Sequence, residues 1–99
     1  MGPVYKLWQG RFTEAWYQLS QEEQQRLLGL SRQALDTAGG KTVMICDAAW
    51  SNERWPLFGV EEFPDVEAAQ RHRQLMTELN SERYIDSRTT LGTQLVLPD

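Results

Sequence analysis

The chain has 99 residues, of which 40% are hydrophobic and 24% are charged, and its formal net charge is −4. This length predicts one folded domain, residues 1–99, without room for a second core. The negative balance argues against binding to a phosphate backbone, so we expect no nucleic acid partner. No apolar stretch approaches the roughly 20 residues of a membrane helix and no apolar leader precedes the first strand, so we expect no membrane partner and a cytoplasmic location.

Cysteine and histidine, the usual ligands of zinc, are scarce in this sequence. Cys46 is the only cysteine and His72 is the only histidine. One cysteine cannot form an internal disulfide, and it cannot build a zinc site without a cluster of other ligands. The sequence also lacks a glycine-rich phosphate loop and a nucleophile elbow. We therefore predict no metal site and no cofactor.

The first part of the chain predicts a strand followed by a helix. Residues Val4–Phe12 are rich in aromatic and branched side chains, which is typical of a strand. Residues Thr13–Leu19 predict an irregular or single-turn approach. Ser20 and Glu23 match a capping box at a helix start, and the pair Gly39-Gly40 supplies the left-handed residue that ends a helix.

Two further strands follow and predict a hairpin. They are Lys41–Trp50 and Trp55–Phe63, joined by the polar residues 51–54. A loop of this length predicts three opposed pairs, which are Trp50 with Trp55, Cys46 with Gly59, and Asp47 with Phe58.

The last part of the chain predicts a second helix and a fourth strand. Asp65 is placed to cap the helix, which should fade near residues 80–84. Thr89–Leu97 predicts the strand, and Pro98 ends it. The order βαββαβ predicts an α+β, ferredoxin-like fold, with a four-stranded antiparallel sheet and both helices on one face.

Both predicted hairpin strands are apolar on their two faces. Two helices can bury only one of these faces, so a second copy of the chain is expected to cover the other. The sequence therefore predicts a homodimer. The two predicted sets are Met44, Cys46, Ala48, Trp50, Trp55 and Leu57 on one face, and Val43, Ile45, Ala49, Phe58 and Val60 on the other.

Residues 58–72, FGVEEFPDVEAAQRH, together with the order of elements, resemble the dimeric α/β-barrel superfamily. This superfamily includes antibiotic-biosynthesis monooxygenases, muconolactone isomerases and stress-responsive barrel proteins. The resemblance implies that two sheets face one another as a barrel, with a pocket inside it or between sheet and helices. Glu61, Phe63 and His72 occupy places comparable to those in the family. A heme-handling member would need an axial histidine, and the predicted helical position of His72 argues against that role.

Two residues are candidates for catalysis. His72 is the only side chain whose ordinary pKa lies near neutrality, so it is the natural proton carrier. A histidine on the apolar side of a helix is more often structural, however. Asp47 interrupts an apolar strand face, where a carboxylate needs a partner or a cavity. Its structural alternative is a bond to Arg11, to Arg83 or to the partner subunit.

Several aromatic and polar residues are candidates for binding a small hydrophobic or aromatic molecule. The first hypothesis is a non-catalytic homodimeric barrel that binds such a ligand. The alternative is a cofactor-free monooxygenase- or isomerase-like enzyme acting on an aromatic small molecule, so the sequence leaves open whether the protein is an enzyme. The candidate ligand-binding residues are Trp8, Trp50, Trp55, Glu61 and Tyr84.

Overall fold

The computed structural model describes residues 2–98 and contains a four-stranded antiparallel sheet in the order β2-β3-β1-β4. The predicted α+β, ferredoxin-like arrangement is confirmed. Within residues 2–98, no helix is both long enough and apolar enough to span a membrane. The elements are β1 (Val4–Phe12), α1 (Glu14–Tyr17), α2 (Gln21–Thr37), β2 (Lys41–Asp47), β3 (Leu57–Phe63), α3 (Val66–Glu78), a 3-10 turn (Ser81–Arg83) and β4 (Ile85–Thr93).

Both predicted helix starts are confirmed at the level of side-chain hydrogen bonds. Ser20 Oγ accepts from the Glu23 amide at 3.1 Å, at the start of α2. Asp65 Oδ1 accepts from the Ala68 amide at 2.8 Å, at the start of α3. The carboxylate of Glu23 binds Arg26 instead of turning back to the cap, so only the serine half of the predicted capping box forms.

The core lies where both helices meet the end of β3. The Phe63 side chain is 0% exposed and packs with Leu35 of α2 and Ala69 of α3. A Cβ atom on Gly40 would lie 2.6 Å from both Leu35 Cδ1 and Phe63 Cε1. A larger residue at position 40 would therefore push the chain away from this core.

The predicted register of the hairpin is wrong by one residue. Ile45 lies opposite Gly59, and Cys46 lies opposite Phe58. The connection spans residues 48–56 instead of 51–54, because Ala48 and Asn52 build turns within it. The Ala48 carbonyl accepts from the Ser51 and Asn52 amides, and Asn52 Oδ1 accepts from the Arg54 and Trp55 amides. Trp50 and Trp55 thus lie in the loop and do not form the predicted cross-strand pair.

A shift of one residue moves side chains to the other face of a sheet. Phe58 and Val60 share a face with Met44 and Cys46, and not with Ile45 as predicted. The ladder between β2 and β3 also contains an irregularity between Thr42 and Met44. The sequence could not reveal this, because it depends on how the two backbones pair.

The last strand begins and ends four residues earlier than predicted. β4 pairs with all of β1, from Ile85 opposite Phe12 to Thr93 opposite Val4. β4 therefore has the same length as β1 and stops at Thr93, opposite the first residue of β1. Backbone pairing, and not side-chain hydrophobicity, sets the limits of β4. Leu95, Val96 and Leu97 therefore lie outside the sheet, with exposures of 78%, 79% and 72%.

The helices and the buried side chains lie on one side of the sheet. Val4, Lys6 and Trp8 of β1 point to this helix side, as do Glu61 and Phe63 of β3. We call the other side the open face, because no helix covers it. Leu7 and Met44 on this face remain 47% and 51% exposed. The open face carries Tyr5, Leu7, Met44, Cys46, Phe58 and Val60.

Candidate functional site

A lysine, a glutamate and a histidine meet between the sheet and α3. Lys6 of β1 lies opposite Glu61 of β3, and both side chains point to the helix side. Lys6 Nζ lies 3.3 Å from His72 Nδ1 and 3.7 Å from Glu61 Oε1. Lys6 is therefore the link between the other two residues.

This cluster is largely removed from water. The side chains of Lys6 and Glu61 are 15% and 14% exposed, and His72 is 4% exposed. The imidazole of His72 lies 5.4 Å from the ring of Phe63, centroid to centroid. Lys6 Nζ lies 6.0 Å from the centre of the same ring. Lys6 and His72 thus lie beside the ring of the core residue Phe63.

Burial changes the ionisation of all three groups. Burial, followed by the positive charge of Lys6, lowers the pKa of His72 to about 4. Burial also lowers the pKa of Lys6 and raises that of Glu61, and in each case the ion pair between them opposes the change. At neutral pH the imidazole is uncharged, so its Nδ1 accepts from the Lys6 ammonium and its proton is assigned to Nε2.

This tautomer decides what His72 can offer a ligand. The protonated Nε2 is a hydrogen-bond donor and has no lone pair available for a metal. The arrangement therefore does not fit His72 as an axial heme ligand. Within residues 2–98, no group of three or more His, Cys, Asp or Glu side chains is arranged to hold a metal ion.

Asp47 lies apart from this cluster. It stands at the end of β2 opposite Leu57, four residues along β3 from Glu61, which corresponds to roughly 13 Å. Asp47 Oδ1 accepts from the Ala49 amide at 3.0 Å. This local hydrogen bond, and not the expected bond to an arginine, gives the Asp47 carboxylate its partner. The structure does not bring Asp47 to His72.

The aromatic candidates do not form one pocket. Trp8 lies over Gly59 on the helix side, where a Cβ atom on Gly59 would be 2.7 Å from the indole. Trp50 lies in the loop and is 86% exposed. Trp55 is partly buried, and the Arg54 guanidinium lies 5.6 Å from the centre of its ring. Tyr84 packs at the edge of Trp16, with ring centres 6.5 Å apart.

Sequence reasoning missed Lys6, although a signal was present. On an alternating strand, Lys6 shares a face with Val4 and Trp8. A lysine between two apolar residues on the covered face of a sheet implies a buried partner. Its identity could not be predicted, because Glu61 is far along the chain.

Neither of two depressions on the surface of residues 2–98 contains a side chain of the cluster. One of about 270 Å³ lies beside Val4 and Pro64, where β3 turns into α3. The other, of about 190 Å³, lies between α2 and α3 and is lined by Ala34 and Leu75 among others.

The titration of His72 gives a test of the buried cluster. Because His72 is the only histidine, its imidazole NMR signals are unambiguous, and we expect a midpoint near pH 4. Between pH 6.5 and about 4, the unfolded chain binds a proton that the folded chain does not, so the free energy of unfolding falls as pH falls. The loss attributable to His72 is about 3 kcal/mol.

The raised pKa of Glu61 has the opposite effect on stability. Where the Glu61 carboxylate titrates, the free energy of unfolding rises as pH falls, because the folded chain binds the proton of Glu61 more tightly than the unfolded chain does. His72→Gln should remove the histidine part of the acid sensitivity. A midpoint at the ordinary value of 6.5 would show that His72 is open to water and not held against Lys6.

No protein-family model matches the chain, and no curated protein sequence matches it. Among solved structures, the fold is similar to a mutant chlorite dismutase from Candidatus Nitrospira defluvii, with a TM-score of 0.72 and 16% identity over 92% of this chain. The chain spans only 40% of that protein. It is also similar to a protein of unknown function from Rhodopseudomonas palustris, with a TM-score of 0.67 and 20% identity over 97% of this chain and 85% of that one. At these identities the likeness shows the fold alone.

Proposed function

We propose that the protein is a homodimeric α/β barrel in which the open faces of two copies pack together, and that it binds a small hydrophobic or aromatic molecule on the helix side of the sheet. The observation that carries this proposal is the open face itself. Apolar side chains from three adjacent strands, Leu7, Met44, Phe58 and Val60 among them, lie there without a covering helix. The resemblance of residues 58–72 to dimeric α/β barrels supports the same assembly.

The size of the surface also supports a partner. The accessible surface is 7334 Å², whereas a folded monomer of 11.5 kDa has about 5,800 Å². The radius of gyration is 14.4 Å, against about 12.6 Å for a compact domain of this length. The excess surface exceeds the roughly 800 Å² that each partner buries in a standard interface. A second copy on the open face would bury part of this excess.

Two leucines of nearly equal exposure allow a matched test of the dimer. Leu7 is 47% exposed on the open face, and Leu91 is 48% exposed on the helix side, where it pairs with Lys6. We expect Leu7→Lys to convert the dimer into monomers, because it would place two ammonium groups in the apolar interface. We expect Leu91→Lys to leave the dimer intact. Sedimentation equilibrium of both variants measures this difference.

The sedimentation result is decisive in either direction. A dimeric Leu7→Lys variant, or equal dissociation of the Leu7→Lys and Leu91→Lys variants, would contradict an interface on the open face. Circular dichroism should show the same helix content in both variants, since both positions are already half exposed in a single copy.

The proposed ligand site is the region around Trp8 and the cluster. Trp8 offers a flat apolar surface on the same side of β1 as Lys6, and Lys6 and His72 add donors at one end. This chemistry suits a flat molecule with a polar or acidic end. We expect an aromatic carboxylic acid to raise the melting temperature of the native chain.

A matched tryptophan pair tests the ligand site. The increase in melting temperature should be lost in Trp8→Leu and kept in Trp50→Leu, because Trp50 lies exposed in the loop. An equal loss in both variants, or no response to a panel of aromatic acids, would contradict the site at Trp8.

A second candidate function is a cofactor-free enzyme acting on an aromatic small molecule. It is favoured by the contact of the His72 imidazole with the buried ammonium of Lys6, which in turn pairs with the Glu61 carboxylate, because such a chain of groups could move a proton. In this version Lys6 and Glu61 assist His72, and Asp47, at the far end of β2, lies too distant to do so. If a stabilising ligand is converted to product, His72→Gln should stop the conversion and Asp47→Asn should not.

A further inference from the structure

We infer that Lys6 is a reactive amine that forms an imine with an aromatic aldehyde held against Trp8. This inference rests on the proposed ligand site and deepens it, because it names the class of molecule and the atom that bonds to it. The reacting atom is Nζ of Lys6, which lies between His72 and Glu61 on the helix side of the sheet.

The residue type at position 6 is the first argument. The chain has ten lysines and arginines, and only Lys6 and Lys41 are lysines. A buried ion pair with a carboxylate is best made by arginine, whose planar fork binds both oxygens and keeps its charge. Lysine loses its proton more readily when it is buried, and the neutral amine is a nucleophile towards carbonyl groups. The chain therefore places one of its two lysines where burial disfavours the charged form.

The surroundings of Nζ favour the neutral amine. Burial lowers the pKa of Lys6, the ion pair with Glu61 opposes this change, and the positive charge of Arg73 adds to it. Nδ1 of His72 lies 3.3 Å from Nζ and accepts one of its hydrogens, which holds the amine in one position. The Lys6 side chain keeps 15% exposure, so it is not sealed from solvent.

Trp8 gives the site its preference for an aromatic molecule. It is the second residue after Lys6 on β1, so the two side chains leave the same face of the strand roughly 7 Å apart. The Trp8 indole lies over Gly59 and offers a flat apolar surface. We therefore assign the ring of the aldehyde to Trp8 and its carbonyl carbon to Nζ of Lys6.

The reaction is a condensation that needs no oxidant or reductant. After the Lys6 ammonium has released one proton to water, the Nζ lone pair attacks the carbonyl carbon and forms a C–N bond. The carbonyl oxygen leaves as water with the two hydrogens of the amine, and a C=N bond remains. The imine then takes up a proton, so the charge at Nζ is restored and the buried Glu61 carboxylate keeps its partner.

Reductive trapping of the imine tests this assignment. The native chain is incubated near neutral pH with benzaldehyde and sodium cyanoborohydride, and peptide mapping by mass spectrometry separates the products at Lys6 and Lys41. We expect most of the lysine label on Lys6, although the Lys41 side chain is 72% exposed. The preference should disappear in urea. Equal or greater labelling of Lys41 in the native chain would overturn the inference.

Matched variants test the amine and its surroundings. Lys6→Arg keeps the charge and should lose the label, whereas Lys41→Arg should keep it. Glu61→Gln removes the carboxylate that opposes the lowered pKa of Lys6, so labelling of Lys6 should become faster. Trp8→Leu should slow the labelling by benzaldehyde and leave the labelling by acetaldehyde unchanged. Slower labelling in Glu61→Gln, or an equal effect of Trp8→Leu on both aldehydes, would also overturn the inference.

The outcomes separate this inference from the proposed ligand site. Stabilisation by an aromatic acid that depends on Trp8, without label on Lys6, would overturn the imine and leave the ligand site standing. The absence of both the stabilisation and the label would overturn both proposals.

Discussion

Replacing Phe63 with alanine is expected to lower the free energy of unfolding by about 3–5 kcal/mol, the cost of removing a fully buried ring. The ring is 0% exposed and is enclosed by Leu35, Ala69 and the close backbone of Gly40. It also supports the imidazole of His72. Because small domains have only about 5–15 kcal/mol of total stability, this loss is a large part of it. Urea denaturation at a fixed protein concentration measures the change.

Tyr17→Ala is the control for this experiment. It also removes an aromatic ring, but Tyr17 is 69% exposed, so we expect a change within about 0.5 kcal/mol. A loss below about 1 kcal/mol for Phe63→Ala would contradict the core described here, because it would mean that the ring is not enclosed.

Replacing Lys6 with methionine is expected to destabilise the protein at neutral pH by about 3 kcal/mol, the lower end of the cost of breaking a buried ion pair. The side chains of Lys6 and Glu61 keep only 15% and 14% exposure, so the Glu61 carboxylate would remain without its counter-charge. The same change removes a positive charge that lowers the pKa of His72. The imidazole midpoint in the variant should therefore move upward from about 4.

Lys41→Met is the matched control for Lys6→Met. Lys41 and Glu62 lie closer together, at 3.4 Å against 3.7 Å, but their side chains are 72% and 26% exposed. Exposed ion pairs contribute about 0–1 kcal/mol, so the control should be nearly neutral. If both variants lose the same stability, burial is not what gives the Lys6 pair its importance. The double variant Lys6→Met/Glu61→Leu should recover part of the loss, because no charge is then left unpaired.

Local signals in the sequence predicted much of the fold. The limits of β1 and the caps at Ser20 and Asp65 depend on residues that are neighbours in the chain, and all were confirmed. The predicted hairpin register was wrong, because the register depends on the turns at Ala48. The predicted limits of β4 were wrong, because they depend on where β1 begins and ends. Hydrophobicity favoured Leu95 as part of a strand, whereas backbone pairing left it outside.

The candidate site was predictable only in part. The resemblance of residues 58–72 indicated Glu61 and His72, which the structure brings together through Lys6. The pairing of Lys6 with both residues joins β1, β3 and α3, so no local pattern could show it. Asp47 was singled out because it interrupts an apolar strand, but its bond to Ala49 is a local turn contact.

The mass of the unmodified protein in dilute solution tests the central proposal most directly. Sedimentation equilibrium from high to low micromolar concentration should give a particle of two chains, twice 11.5 kDa, with dissociation only at the lowest concentrations. A single-chain mass of 11.5 kDa at every concentration would show that the apolar open face needs no second copy, and it would contradict the proposed barrel.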